Sequence, residues 1–152
     1  WMEQDTVLEK VYNLTERGGG VVIVANVSTM IRNKGGDAWK DVAWNTVKEF
    51  LGDKRRASNT YYTEPKDRFE VILARSKFSN VQTFNETYAV PHSIDDIIGY
   101  LGSTSFAAYR LFGDRLEAFK RTLTERLLAL SPSGNFIETA VVEAYLGWKN
   151  TL

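Results

Sequence analysis

The chain has 152 residues, of which 43% are hydrophobic and 25% charged, values that are ordinary for a globular protein. Basic and acidic residues balance, so the strongly basic face of a nucleic-acid-binding protein is not indicated. There are no cysteines and one histidine, which excludes disulfides, thiolate nucleophiles and the usual Cys or His metal sites. We therefore predict no metal site. No apolar run reaches the ~18 residues of a membrane span, and no signal-peptide pattern occurs, so we predict a cytoplasmic location without membrane contact.

The first third of the chain predicts a helix followed by a strand. The helix is predicted over Thr6–Arg17, because Thr6 and Glu9 fit a capping box and apolar residues recur at helical spacing. Asp5 is the alternative N-cap. Gly18–Gly20 should end it, with one glycine in the left-handed conformation. The nearly continuous apolar run Val21–Val27 predicts a short strand buried on both faces, as in a parallel sheet.

The middle of the chain predicts two helices around a loop. A polar loop leads to Asp37, which can cap a helix that runs to Leu51 and ends at Gly52. The basic and polar stretch Asp53–Tyr62 predicts a loop. A further helix should begin with Pro65 in its first turn, where the missing N–H costs nothing.

The last part predicts two strands separated by helices. The second strand is expected over Val81–Tyr88, because Pro91 should break it. Ser93 should cap the next helix, and a short helix is expected over Phe106–Phe112. Asp114 and Glu117 should cap a longer helix with a stripe of Leu116, Phe119, Leu123, Leu127 and Leu130. Phe136–Trp148 contains the last strand. The whole order predicts a single α/β domain over residues 1–152.

Two stretches resemble a known family. At the start, Trp1–Asp5 is followed by a helix, the turn Gly18–Gly20 and an apolar strand. Near the end, Gly99–Phe106 and Leu111–Arg115 precede a leucine-rich helix. In this order they resemble the C-terminal part of class I S-adenosylmethionine-dependent methyltransferases, specifically a bacterial subgroup that acts on small molecules.

The resemblance implies an α/β fold that is the C-terminal half of a Rossmann-like domain. About three strands, corresponding to strands five to seven, would be present, with the antiparallel last strand inserted between the other two. A helical, lid-like insertion would cover about residues 28–64. The family's glycine-rich motif and ribose-binding acidic residue are absent here. We therefore expect the N-terminal half of the same protein as a partner, and no binding of S-adenosylmethionine by this chain alone.

The candidate binding residues follow from strand ends and from the resemblance. Ligands of open α/β sheets bind beyond the carboxyl ends of strands, which selects Asn26, Ser28 and Thr29 for substrate; the alternative is a polar exit loop. The resemblance places Trp1 and Met2 near the cofactor; the alternative is a frayed end. Aromatic residues of the insertion would grip the acceptor, with core packing as the alternative. These residues are Trp39, Trp44, Tyr61 and Tyr62.

The remaining polar candidates have simpler alternatives. His92 is the candidate general base for an acceptor hydroxyl or amine, although a lone histidine also serves as a surface or capping residue. The run Lys54–Arg56 could bind an anionic substrate or RNA, or form a solvated loop. The predicted function is methyl transfer to a small-molecule acceptor by the intact protein. The alternative is a non-catalytic binding module, with a homodimer formed through an exposed sheet edge.

Overall fold

The structure is a computed structural model, and it describes residues 2–26, 36–57, 60–63 and 67–150. Five helices and five strands occur in these residues. The helices are α1 (Gln4–Leu14), α2 (Ala38–Leu51), α3 (Phe69–Ala74), α4 (Ile94–Ser103) and α5 (Leu116–Leu130). The strands are β1 (Gly20–Asn26), β2 (Arg56–Ala57), β3 (Thr60–Tyr61), β4 (Ser79–Ser93) and β5 (Asn135–Trp148). The fold is therefore a mixed α/β fold.

The main sheet has three strands in the order β1-β5-β4. The last strand, β5, runs antiparallel to β1, with a register from Gly20↔Trp148 to Asn26↔Val142. β5 thus lies between the other two strands of this sheet. The structure therefore has the coarser features of the predicted fold, which are a mixed α/β order and a three-stranded sheet with an antiparallel last strand.

Strand β1 is buried on one face only, so the expected burial on both faces is wrong. Val21 and Ile23 pack against the core, whereas Val22 and Val24 are 58% and 66% exposed. The partner of β1 among the described residues is the antiparallel β5, not a parallel strand. A short apolar run has the same sequence pattern in a strand buried on both faces and in one buried on a single face. Periodicity alone could therefore not decide between the two.

The chain divides into two compact units. Unit 1 comprises Trp1–Val27, Glu64–Thr87 and Val141–Leu152, and unit 2 comprises Ser28–Thr63 and Tyr88–Ala140. The core of unit 1 is formed by Leu8, Ile72, Leu73, Phe78 and Tyr145. The core of unit 2 is larger and lies mainly between α2, α4 and α5. Its central members are Ala43, Val47, Ile97, Leu101, Phe119, Leu123 and Leu127.

The helices of unit 2 begin and end largely where the sequence predicts. Helix α2 has Asp37 as its N-cap and Gly52, with a positive φ of 88°, as its C-cap. Three of the five stripe residues of α5, Phe119, Leu123 and Leu127, are fully buried. The predicted Asp114 cap is wrong, because a 3-10 turn over Gly113–Arg115 precedes the helix and Arg115 takes the N-cap position.

Other expected boundaries are corrected by the structure. Helix α1 begins at Gln4, before Thr6, and its N-cap Glu3 makes no side-chain cap bond, so the predicted capping box is wrong. Within the expected helix Phe106–Phe112 only a 3-10 turn forms, over Tyr109–Leu111. Helix α3 begins at Phe69. The expected position of Pro65 lies outside the described residues.

Strand β4 continues through Pro91 to Ser93, where the sequence predicts a break. β4 is an outer strand of the three-stranded order. Proline is tolerated on such a strand because the N–H groups along its outer edge have no neighbouring strand to donate to. The predicted loop Asp53–Tyr62 contains a small antiparallel pair, β2 and β3.

The start of α4 is closed by a capping box. The Ser93 hydroxyl accepts a hydrogen bond from the Asp96 amide at 3.2 Å, and the Asp96 carboxylate accepts one from the Ser93 amide at 2.8 Å. The pKa of Asp96 is held below its ordinary value, chiefly by the hydrogen bond from the Ser93 side chain and next by the bond from the Ser93 amide.

Replacing Ser93 with alanine should lower the free energy of unfolding by about 1 kcal/mol, because an orphan amide of α4 loses its acceptor. In the unchanged protein, the stabilisation that the Asp96 carboxylate contributes is fully present above the pKa of this group in the unfolded chain. This stabilisation is lost as the pH falls through the lower pKa of the folded protein. Urea unfolding at neutral and acidic pH measures both effects. Equal loss of stability in Ser93→Ala and Ser103→Ala, at the other end of α4, would contradict the assignment.

Candidate functional site

A lysine is buried in unit 2 among carboxylates. Lys40 lies in the first turn of α2 and is only 1% exposed. Its Nζ atom lies 3.1 Å from Oδ2 of Asp37 and 2.9 Å from Oε1 of Glu138 on β5. A buried ammonium is costly unless it is paired and hydrogen-bonded, and these two carboxylates supply that pairing.

The same glutamate joins the lysine to the single histidine of the chain. Oε2 of Glu138 lies 2.8 Å from Nε2 of His92, at the end of β4. The mostly buried His92 ring also lies 5.6 Å from the Trp39 ring, measured between centroids. We refer to Asp37, Lys40, His92 and Glu138 as the Lys40 network.

Two backbone contacts fix this network between α2 and β5. The Trp39 indole donates to the carbonyl of Ile137 at 3.1 Å. The Asp37 carboxylate accepts from the Thr139 amide at 3.0 and 3.1 Å. Asp37 therefore stands at the N-cap position of α2 without capping it, because its oxygens are aimed at β5 and Lys40.

The arrangement can perform acid–base chemistry at one ring nitrogen. Because Nε2 of His92 is engaged by Glu138, Nδ1 is the nitrogen that can accept or deliver a proton. A carboxylate on one nitrogen fixes the orientation of the ring. The same geometry also serves a purely structural role as a buried ion-pair network.

A second group of contacts in unit 2 is aromatic and cationic. The Trp44 and Phe106 rings meet edge to face, with centroids 5.6 Å apart. The Arg55 guanidinium lies 3.9 Å from the Tyr62 ring centroid and 5.6 Å from that of Phe106. These four side chains thus form a continuous stack between α2 and the β2–β3 segment.

Tyr100 on α4 has a hydroxyl with a raised pKa. Partial burial raises this pKa most, and the Glu138 carboxylate raises it further, while Lys40 and Arg55 lower it.

The structure brings some of the predicted site residues together in unit 2. Trp39 meets His92, and Trp44 joins Tyr62 through Phe106 and Arg55. Tyr61 is 57% exposed, with Nζ of Lys54 at 5.5 Å from its ring centroid.

The other predicted residues are not assembled with these. Met2 is 70% exposed and Asn26 ends β1 on its exposed face, and both belong to unit 1. Trp1, Ser28 and Thr29 lie outside the described residues. Their proposed roles at the cofactor and the substrate stay predictions.

Sequence reasoning missed Lys40 and Glu138. Lys40 precedes Ala43 by three residues and Val47 by seven, so it stands on the apolar stripe of the predicted helix. A lysine on such a stripe indicates a buried cation and could have been noticed. Its partner Glu138 is distant in sequence, and no local signal identifies it.

The described ranges contain no group of three or more His, Asp or Glu side chains that could hold a metal ion. Of the two residues expected at S-adenosylmethionine, only Met2 is described, and its side chain is 70% exposed. The expectation that this chain alone does not bind the cofactor stays a prediction.

Among helices in the described part of the chain, none is long and apolar enough to cross a membrane. Searches of protein-family models and of curated protein sequences found no match to this chain.

Proposed function

We propose that the chain is the C-terminal part of a cytoplasmic class I S-adenosylmethionine-dependent methyltransferase that acts on a small-molecule acceptor. The observation that carries this proposal is the sheet order β1-β5-β4, with β5 antiparallel in the middle. That order is the one implied for strands five, seven and six of a Rossmann-like methyltransferase domain. The helix before β1 and the helices between the strands also follow the order that the resemblance implies.

In this proposal, unit 2 supplies the acceptor side of the site. The exposed ring of Tyr61 offers a flat surface for a planar acceptor, while the contacts among Trp44, Phe106, Arg55 and Tyr62 hold this segment against the core. His92, oriented by Glu138, is the candidate group for removing a proton from an acceptor hydroxyl or amine. The groups that would hold the cofactor belong to the N-terminal half of the same protein, which is the proposed partner.

A non-catalytic binding or dimerisation module is the second candidate, and one observation favours it. Strand β1 stands at the end of the three-stranded order and exposes Val22 and Val24. The strand Gly20–Asn26 contains no charged residue and no proline, the usual features that discourage pairing with another chain. Such a strand suits pairing with a second copy or with a separate sheet.

The decisive measurement is calorimetric titration with S-adenosylmethionine and S-adenosylhomocysteine. We expect no binding to this chain at millimolar ligand, and micromolar binding to the parent protein that includes the N-terminal half. Micromolar binding by this chain alone would contradict the assignment of the cofactor groups to the other half. A parent that binds neither ligand would contradict the methyltransferase proposal.

Analytical ultracentrifugation of the same samples measures their oligomeric state and distinguishes the interaction module from the methyltransferase. A stable dimer of this chain that Val24→Lys dissociates, together with a parent protein unable to bind either ligand, would favour the interaction module.

A further inference from the structure

The β2–β3 segment carries three consecutive cations opposite two tyrosines. We call Lys54, Arg55, Arg56, Tyr61 and Tyr62 the basic hairpin. Arg56 pairs directly with Tyr61, and the Tyr62 amide donates to the carbonyl of Arg55 at 2.9 Å. Because successive side chains of an extended strand alternate between its sides, Arg55 and Tyr62 share one side of the hairpin. Lys54, Arg56 and Tyr61 share the other.

The two sides are used differently. On the first side, Arg55 contacts the Tyr62 and Phe106 rings, and Phe106 contacts Trp44 on α2. This side therefore anchors the hairpin to the core of unit 2. On the second side, Tyr61 is largely exposed and its ring is approached by Nζ of Lys54.

The Nε atom of Arg56, on that second side, lacks an acceptor. This atom is buried and makes no hydrogen bond, the one such side-chain atom among the described residues. No ion pair with a described residue involves Lys54 or Arg56, whereas Arg75 is paired with Asp5 and Arg126 with Glu49. Because no carboxylate of the described residues neutralises the half-buried Arg56, an anion at its terminal N–H groups would stabilise this side chain.

We propose that the side of the basic hairpin formed by Lys54, Arg56 and Tyr61 binds an oxyanion, a carboxylate or a phosphate, on a small planar ligand. The planar guanidinium of Arg56 matches two oxygens of such a group through its terminal N–H groups. Lys54 adds a second positive charge. The exposed ring of Tyr61, directly opposite Arg56, offers a flat apolar surface to the rest of the ligand.

This inference rests on the proposed function where it identifies the ligand as the methyl acceptor, but the binding itself requires no methyl transfer. Titration of the unmodified chain with benzoate, phenyl phosphate and the neutral benzyl alcohol tests it. We expect at least one anionic ligand to bind about tenfold or more tightly than benzyl alcohol, the difference that a charge-assisted hydrogen bond supplies. Which of the two anions binds better identifies the oxyanion.

Two variants locate the site. Arg56→Gln and Lys54→Gln should each lower affinity for the anion by about tenfold and leave the weak binding of benzyl alcohol unchanged. Arg121→Gln, which removes an exposed cation from α5, is the matched control and should change the affinity by less than about twofold. Far-UV circular dichroism verifies folding. If Arg56→Gln does not fold, Arg56→Lys tests the same N–H fork while keeping the charge, and should also weaken binding.

Equal affinity for benzyl alcohol and the anions would overturn the proposal, as would full retention of anion binding in Arg56→Gln or Arg56→Lys. Binding of a single-stranded oligoribonucleotide by a chain that ignores both small anions would assign the hairpin to nucleic acid instead. Because none of these readouts uses S-adenosylmethionine, a failed methyltransferase assay and a failed anion site remain distinguishable.

Discussion

Replacing Lys40 with alanine is expected to lower the free energy of unfolding by about 3–5 kcal/mol. The ammonium is 1% exposed and contacts the carboxylates of Asp37 and Glu138, which are themselves mostly buried. Without the cation, two negative charges would face each other in a site poorly reached by water. Urea unfolding followed by circular dichroism measures the loss.

Lys77→Ala is the matched control for this prediction. Lys77 also forms a lysine–glutamate pair at 2.9 Å, with Glu9, but both side chains are more than half exposed. Exposed pairs contribute about 0–1 kcal/mol, so the control should lose at most that amount. Similar losses in the two variants would mean that the burial of Lys40 does not determine its contribution.

A double variant separates the charge from the packing. Lys40→Met with Glu138→Gln removes one charge of each sign while keeping most of the volume. It should be more stable than Lys40→Met alone, because the remaining buried charge is smaller. Since Glu138 also contacts His92, the double variant replaces the charged partner of the imidazole with a neutral amide. Nuclear magnetic resonance of the single histidine should therefore show a changed ring environment.

Local signals predicted the helices of unit 2 well. Gly52 ends α2 and Ser93 caps the start of α4, because caps are determined by residues next to the helix end. Asp37 stands at the start of α2 as predicted, but its side chain makes no cap bond. The position of β5 between β1 and β4 came from the resemblance and not from periodicity, which carries no information on strand order.

The parts that failed depend on distant contacts. Pro91 ends a strand only where its missing N–H is needed by a neighbour, and the outer position of β4 cannot be read from the local sequence. For the same reason, Glu138 could not be assigned to Lys40, since they come together only when β5 meets the start of α2. His92 was selected for its chemistry, and its contact with Glu138 is a tertiary feature.

The second large effect is expected in the core of unit 2. Phe119 on α5 is fully buried, stacks on Phe112 with ring centroids 4.1 Å apart, and meets Phe50 edge to face at 5.6 Å. Phe119→Ala removes the ring shared by both pairs and leaves a cavity that Phe112 and Phe50 can fill only in part. The free energy of unfolding should fall by about 3–5 kcal/mol, measured by urea unfolding.

Leu128→Ala on the same helix provides the comparison, because its side chain is 41% exposed and should cost less than about 1 kcal/mol. If the losses of the two variants differ by less than about 1 kcal/mol, the assignment of Phe119 to the centre of the core is contradicted. The result also bears on the aromatic stack that supports the basic hairpin, because Phe106 belongs to the same core cluster as Phe119. If that cluster unfolds as one unit, Phe119→Ala should weaken anion binding only near its own unfolding midpoint and leave the affinity of the folded chain unchanged.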